Sequence, residues 1–557
     1  MKKLILITIL ILAAILRFNE LNTLPALNAD EAAIGYNAYS LLQTGKDEHG
    51  NPWPISFQSF NDYKPSLFFY IVLPFVKLLG LSELAVRIPG AALGVATVLL
   101  VWLLAKELFP QQKKFSIFKP ERPSFAYFQF SISEIAALLL AISPWHIHFS
   151  RGGWEVNVAT FFITLGIWLF LKGLKNNKFL VLSVLSLIAS LYTYHAARVV
   201  VPLLMLGLLL IYRKALWTNR SKLILPILIG GLLIIPLVRD LTGEKGISRA
   251  SGVSIFADQG VIERINEQRG EHGNINSIPA LILHNKIVNY SLDFLNNWGE
   301  HFWGEFLFLS GDEIQRNRVP ETGLLYIFQL PLVIIGLLSI ARSTAGWGII
   351  LWWLIVTPAA AALTFQSPHA LRAHNMVIPL TIISSFGLLG ILDWLSRLKF
   401  KFLRASCYLL LVVIISWEFS RYLHQYYIHM VKEYPSSSQY GVKELVTYVK
   451  ENYDNYPKFA ITDKYDQPYI LFLFYLKYPP EKFQGNHALT PRDKFGFSTV
   501  RDFDKFHFEE INNWDEIIGK YTRALIIGTD KEIPDNANII HKIYFPNGKA
   551  AFKIVAN

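Results

Sequence analysis

About eleven apolar runs, some shorter than the roughly 20 residues that a straight transmembrane helix wants, dominate this 557-residue chain and limit what it can become. They cover 4–18, 84–109, 132–149, 156–171, 179–194, 199–212, 223–238, 323–341, 346–365, 373–394 and 405–422. In lipid every backbone N–H and C=O must be paired within its own structure, so runs of this kind fold as helices. With 52% of residues hydrophobic and only 17% charged, an ordinary soluble enzyme is excluded and a mainly α, polytopic membrane protein is expected. Met1-Lys2-Lys3 before the first run resembles a signal peptide, but no small-residue cleavage site follows and Arg17 comes next, so the run reads as a retained span. The one cysteine, Cys407, lies inside an apolar run and rules out an internal disulfide.

A further run, 66–79, is short and carries Pro74 and Lys77. The distribution of Lys and Arg decides whether it crosses. Without a crossing, Lys2 and Lys3 share one side with four clusters: Lys113, Lys114, Lys119 and Arg122; Lys172, Lys175 and Lys178; Arg213, Lys214, Arg220 and Lys222; and Arg397, Lys399, Lys401 and Arg404. Arg342 joins them, and only Glu121 and Asp393 oppose them. That surplus exceeds the +11 of the whole chain, so the other face is net negative, in keeping with the positive-inside rule. A crossing at 66–79 would put every later basic cluster outside. The run is therefore expected to lie in the outer interface as a short helix, anchored by Phe68, Phe69 and Tyr70. Because the basic residues sit between apolar runs and not in one patch, no nucleic-acid partner is expected.

The same parity gathers the polar connections rich in His, acid and Arg on the outer face: the first loop 19–83, then 145–157, 194–198, the long loop 239–322, and 367–372. In the long loop, Trp298-Gly299-Glu300-His301-Phe302 and Gly311-Asp312-Glu313-Ile314-Gln315-Arg316 read as parts of an ordered lid. Near residue 431 the composition turns charged and proline-rich, with strand-length segments at 458–461, 524–528, 539–544 and 551–555 and helical patterns at 442–449 and 469–478. A transmembrane domain 1–430 and a small extracytoplasmic α/β domain 431–557 are expected, hinged at Pro435-Ser436-Ser437-Ser438.

Asp30-Glu31 opens a helical pattern through Ala32, Ile34, Tyr36, Tyr39 and Leu42, and a carboxylate at the positive end of a helix keeps its charged form, as a proton acceptor should. The plainer reading is that Asn28 or Asp30 caps the helix. Asp62-Tyr63-Lys64-Pro65 closes the loop, and Lys64 at headgroup depth can meet a substrate phosphate or merely anchor lipid. The segment from Ser143 to Asn157 adds Glu155, a second acid, and Arg151, which suits an anionic substrate or a headgroup equally. His146 and His148, two residues apart, could share a zinc ion on extended backbone, interfacial histidines beside Trp145 being the plainer case. His195 and Arg198, and Arg372 beside His369 and His374, can hold phosphate or sugar hydroxyls, or snorkel at the interface. There is no P-loop, no G-x-G-x-x-G before a helix and no HExxH, so a soluble nucleotide-sugar donor is unsupported.

Together with Leu24-Pro25, Tyr39 and the stretch Glu83-Leu84-Ala85-Val86-Arg87-Ile88-Pro89-Gly90-Ala91 running to Leu108-Phe109, and with Ser143-Pro144-Trp145-His146, these motifs resemble the large membrane glycosyltransferases of the C superfamily. The similar branch includes dolichyl-phosphate-mannose protein mannosyltransferases and the bacterial aminoarabinose transferase. The resemblance is strongest over 1–200, fades to about 400, and carries no residues beyond 431. It implies an inverting transferase of the outer face that takes its sugar from a polyprenyl-phosphate donor and passes it to a hydroxyl on a protein, lipid or glycan. By position it implies Asp30 as catalytic base, Lys64 on the donor phosphate and Glu155 as the second acidic residue; Glu31, Tyr63, Arg151, His195, Arg198 and Arg372 join Lys64 as substrate-binding candidates through their residue types and outer-face positions. No cofactor is assigned, and a divalent metal ion is left open. One departure matters: the aminoarabinose branch has an arginine three residues after the aspartate, where this chain has Ala33, so phosphate binding must rest on Lys64 with Arg151 or Arg198. The rival class is a transporter or flippase of lipid-linked sugars, which would place its ionisable groups near the bilayer midplane, not at outer corners.

Overall fold

The computed structural model describes residues 2–110, 115–116, 129–218, 220–243, 252, 254–340, 346–493 and 497–557. Lys113, Lys114, Lys119, Glu121, Arg122 and Arg342 of the expected inner clusters, and part of the 239–322 loop, lie outside these residues. The chain divides into two compact units, one comprising Met1–Arg17, Leu93–Phe149 and Val156–Tyr422, the other Phe18–Ala92, Ser150–Glu155 and Leu423–Asn557. The expected tail 431–557 thus belongs with the first loop.

Among the described residues, five helices are long and apolar enough to cross a membrane: Glu83–Leu108, Glu155–Gly173, Arg220–Thr242, His374–Ser396 and Lys401–Glu433. A sixth candidate is the pair Ile132–Ala141 and Pro144–Arg151, bent by 54° where a single run 132–149 was expected. Other expected spans are apolar helices of 10–17 residues, such as Lys178–Leu191, Ala197–Ile211 and Gln329–Ser339. At about 1.5 Å per residue these fall short of a hydrocarbon core of about 30 Å, which is why run counting exceeds the number of full-length helices. The expected helix at 66–79 is Leu67–Leu79.

In the first unit a buried arginine adds bonds to the carbonyls at the bend before Pro144. Arg17 donates to the carbonyls of Leu140 (3.2 Å) and Ala141 (3.0 Å) and pairs with His146 Nδ1 at 2.7 Å. His146 and His148 lie in the helix Pro144–Arg151, where residues two apart point to different faces, so the extended backbone their zinc reading needs is not formed. The described part of the long loop is largely helical, with Gln259–Glu271, Ile278–Leu283 and Lys286–Glu300. Helices Gln329–Ile340 and Val377–Ser396 touch through glycines: a Cβ added at Gly387 would lie 1.9 Å from the Leu332 carbonyl oxygen, and one at Gly336 2.2 Å from that of Ile383. Small residues let membrane helices approach this closely. Gly387→Ala is therefore expected to force the helices apart and to lower stability in detergent by about 1–3 kcal/mol. An unchanged melting temperature would contradict that packing.

The second unit is built on a six-stranded sheet whose edge-to-edge order is Asp502–Phe503, Phe506–Glu509, Lys458–Thr462, Ala524–Gly528, Ala550–Ala556 and Ile539–Tyr544. Lys458–Thr462 is parallel to both neighbours, and the other pairings are antiparallel. Its first two strands, Asp502–Phe503 and Phe506–Glu509, were not legible in the sequence because they are short and polar in alternation. From the first loop come the helix Ala29–Thr44 and the hairpin Ser56–Ser59 with Asp62–Pro65. Gly35 admits close packing of that helix: a Cβ there would sit 2.6 Å from the Phe474 ring and 2.8 Å from Val86. Sequence from both ends of the chain therefore shares one core.

Candidate active site

The helix Ala29–Thr44 begins with a capping box: Asn28 Oδ1 accepts from the Glu31 amide at 3.0 Å, and Glu31 Oε2 accepts from the Asn28 amide at 3.3 Å. Asn28 is the cap, which leaves the carboxylate of Asp30, in the first turn, for other work. Glu31, 1% exposed, is held from the opposite side by Arg87. Arg87 Nε meets Oε1 at 2.6 Å and Nη2 meets Oε2 at 2.7 Å, a bidentate pair. The remaining guanidinium hydrogens go to the carbonyls of Leu21, Pro25 and Ala26, at 3.1, 2.8 and 3.1 Å. The Gly153 amide adds a 2.8 Å bond to Glu31 Oε1. Glu31, expected to bind substrate, is therefore occupied in fixing the helix start against Arg87 and the 150–155 segment. Gly153 itself leaves no room, since a Cβ would fall 2.9 Å from Val86 and 3.2 Å from Glu31 Cγ.

Asp30 is partnered across the loop. Lys64 stands opposite Phe57 in the hairpin, and its Nζ lies 2.5 Å from Asp30 Oδ1. The ammonium also lies 4.9 Å from the centre of the Phe60 ring. Burial works against a charged lysine here, but the carboxylates of Asp30 and Glu155, with Asp62 behind them, more than offset it and hold the Lys64 pKa above its ordinary value. Lys64 is thus within electrostatic reach of both expected catalytic acids, although the three residues are far apart in sequence. Asp30 keeps a side-chain exposure of 28%, against 11% for Lys64, so the carboxylate is the more open partner.

Tyr63 lies next to Lys64 in the hairpin strand, opposite Gln58. Arg151 is fully buried: its Nε donates to the Tyr426 hydroxyl at 3.0 Å, its Nη2 to the Leu24 carbonyl at 3.3 Å, and its guanidinium lies over the rings of Tyr426 and Tyr427. In this state it braces the loop around Leu24 and is closed to an anionic ligand. His195, Arg198 and Arg372 belong to the other unit. There Arg198 Nη1 meets His195 Nδ1 at 3.2 Å, and Arg372 Nη1 donates to Thr364 Oγ1 at 2.5 Å. Of the expected set, then, Asp30, Glu31, Tyr63, Lys64, Arg151 and Glu155 share one compact unit. Arg87 enters the sequence reading only within a motif; an arginine near the start of a largely apolar run is the signal for its buried partner.

For a divalent metal the donors are few. Asp30 Oδ1 is taken by Lys64, and among the described residues no group of three or more His, Cys, Asp or Glu is gathered closely enough to hold an ion. The side chains of this constellation offer a carboxylate to accept a proton and a buried ammonium to receive an anion.

The fold is similar to that of solved membrane glycosyltransferases. It matches ArnT from Cupriavidus metallidurans bound to undecaprenyl phosphate, with a TM-score of 0.55 over 98% of this chain and 97% of that one, at 10% identity. It also matches the archaeal oligosaccharyltransferase AglB from Archaeoglobus fulgidus, in complex with an inhibitory peptide and a dolichol-phosphate. There the TM-score is 0.50 at 14% identity, covering 85% of this chain and 63% of that one. No family profile and no curated protein matches the chain in sequence. The likeness is one of fold, carried at an identity too low to transfer an activity.

Proposed function

We propose that this protein transfers a sugar from a polyprenyl-phosphate donor to a hydroxyl acceptor at the outer face of the membrane, with inversion at the anomeric carbon. The observation that carries this reading is the Asp30–Lys64 pair at 2.5 Å with Glu155 in charge range, on a fold whose neighbours bind undecaprenyl phosphate and dolichol phosphate. The acceptor oxygen attacks the anomeric carbon while the bond from that carbon to the phosphate oxygen breaks. The polyprenyl phosphate leaves with the electron pair, and the hydroxyl proton passes to Asp30, with Glu155 as the second acid. Lys64 neutralises the leaving phosphate, and by exchanging Asp30 for that phosphate it frees the carboxylate to act as base. The inner basic clusters orient the site outward by the positive-inside rule.

The test is incubation of purified protein with polyprenyl-phosphate sugars labelled in both sugar and lipid, with a hydroxyl acceptor present. Loss of sugar from the lipid with release of polyprenyl phosphate supports the transferase. Movement of the intact donor across the bilayer without cleavage would favour a flippase instead.

Two further outcomes are expected. Lys64→Ala removes a charge-assisted contact worth about 1.5–3 kcal/mol, so donor affinity should fall about ten- to a hundredfold. Because the neighbouring carboxylates raise the Lys64 pKa, the ammonium stays charged through neutral and mildly alkaline pH, and donor affinity should be flat from about pH 6 to 9. Donor affinity that falls off near pH 8 in the wild type and not in Lys64→Ala would mean that the carboxylates do not hold the lysine charged.

A further inference from the structure

The tail 431–557 carries none of the motif residues on which the resemblance rests, yet it bonds the backbone beside each member of the Asp30–Lys64 pair. The amide of Ala29, the residue just before Asp30, donates to Gln439 Oε1 at 2.6 Å. Gln439 Nε2 in turn donates at 2.6 Å to the carbonyl of Asp466, in the loop that leaves the central strand Lys458–Thr462. Gln439 is buried and held at a φ of 55°, a left-handed conformation that a glutamine adopts only when its surroundings impose it. The first amides of a helix have no partner within the helix. Asn28 serves one of them, and Gln439, from more than four hundred residues away, serves another beside the proposed base.

The lysine side is held in a similar way. The hairpin that carries Lys64 turns at Phe60 and Asn61, both at φ 58°. The Ser498 amide donates to the Phe60 carbonyl at 2.9 Å, Asn61 Nδ2 to Ser498 Oγ at 3.1 Å, and Arg492 Nη2 to the Asn61 carbonyl at 3.2 Å. Phe60 is also the ring beneath the Lys64 ammonium.

We infer that the C-terminal α/β segment is a working part of the site, in which Gln439 is a positioning residue for Asp30, and Arg492 with Ser498 positions Lys64. This rests on the glycosyltransferase reading of Asp30 and Lys64. Displacing a reacting group by even about 1 Å can cost a factor of up to a hundred in rate. The two clamps then have different kinetic signatures, because one serves the base and the other the donor-binding cation.

The test compares three variants of the full-length protein. Gln439→Met keeps the size and removes the acceptor; it should lower kcat about ten- to a hundredfold and leave donor KM within about twofold. Arg492→Ala, at an exposed position, should raise donor KM about threefold or more with kcat nearly unchanged. Gln484→Ala is the control: its Nε2 holds the far end of the same helix through Ser40 Oγ at 3.0 Å, Thr44 Oγ1 at 3.0 Å and the Asp47 carbonyl at 2.8 Å, and it should affect stability without splitting the two constants. If Gln439→Met does not fold, the Arg492→Ala arm decides alone. Equal losses in all three variants, or no loss in Gln439→Met and Arg492→Ala, overturn the inference. Wild-type transfer in the same assay separates the two levels: absence of any transfer removes the glycosyltransferase reading itself.

Discussion

Asp30→Asn is expected to lower turnover by about 10²- to 10⁴-fold at saturating donor and acceptor, while donor affinity stays near that of the wild type. The substitution keeps the size of the side chain and much of its hydrogen bonding but removes the proton acceptor. Its partner Lys64 loses one of the carboxylates that hold it charged, yet Glu155 and Asp62 remain in range, so the phosphate-binding cation persists. Initial rates and donor binding, measured on the same preparation, separate the two effects. Near-normal transfer by Asp30→Asn would remove it as base and make Glu155 the next candidate.

The second large effect concerns stability. Arg87→Met is expected to cost about 3–5 kcal/mol, because it strands the Glu31 carboxylate, 1% exposed, without its counter-charge. Arg87→Lys should recover little: an ammonium cannot make the two parallel bonds to Glu31 together with those to the Leu21, Pro25 and Ala26 carbonyls. Glu31→Gln combined with Arg87→Met removes both charges and should be more stable than Arg87→Met alone. Thermal melting in detergent checks the series. A single Arg87→Met variant that melts with the wild type would mean that the pair does not hold the helix start in place.

Part of this arrangement was legible in the residues. Hydrophobic run length located most of the helices, and the polar interval holding Asp30 and Lys64 stood out because charge is costly at a membrane unless it is used. Run length counts apolar residues and so did not show that the chain bends at Pro144, where Arg17, more than a hundred residues earlier, bonds the carbonyls of Leu140 and Ala141. The roles of Glu31 and Asp30 could not be told apart either. Adjacent residues on a helix point in different directions, and which one faces Arg87 and which faces Lys64 follows from the tertiary packing. Gln439 gave no signal at all, since a glutamine after a serine run reads as linker and its left-handed backbone is set only by its contacts.

The proposal that Lys64 receives the donor phosphate beside Asp30 is open to direct observation in an experimentally determined structure of the protein with polyprenyl phosphate bound. Phosphate oxygens should lie about 2.7–3.2 Å from Lys64 Nζ, with the Asp30 carboxylate drawn off the ammonium and turned toward the position of the acceptor hydroxyl. A phosphate seated away from Lys64, with the Asp30–Lys64 pair still closed, would contradict it.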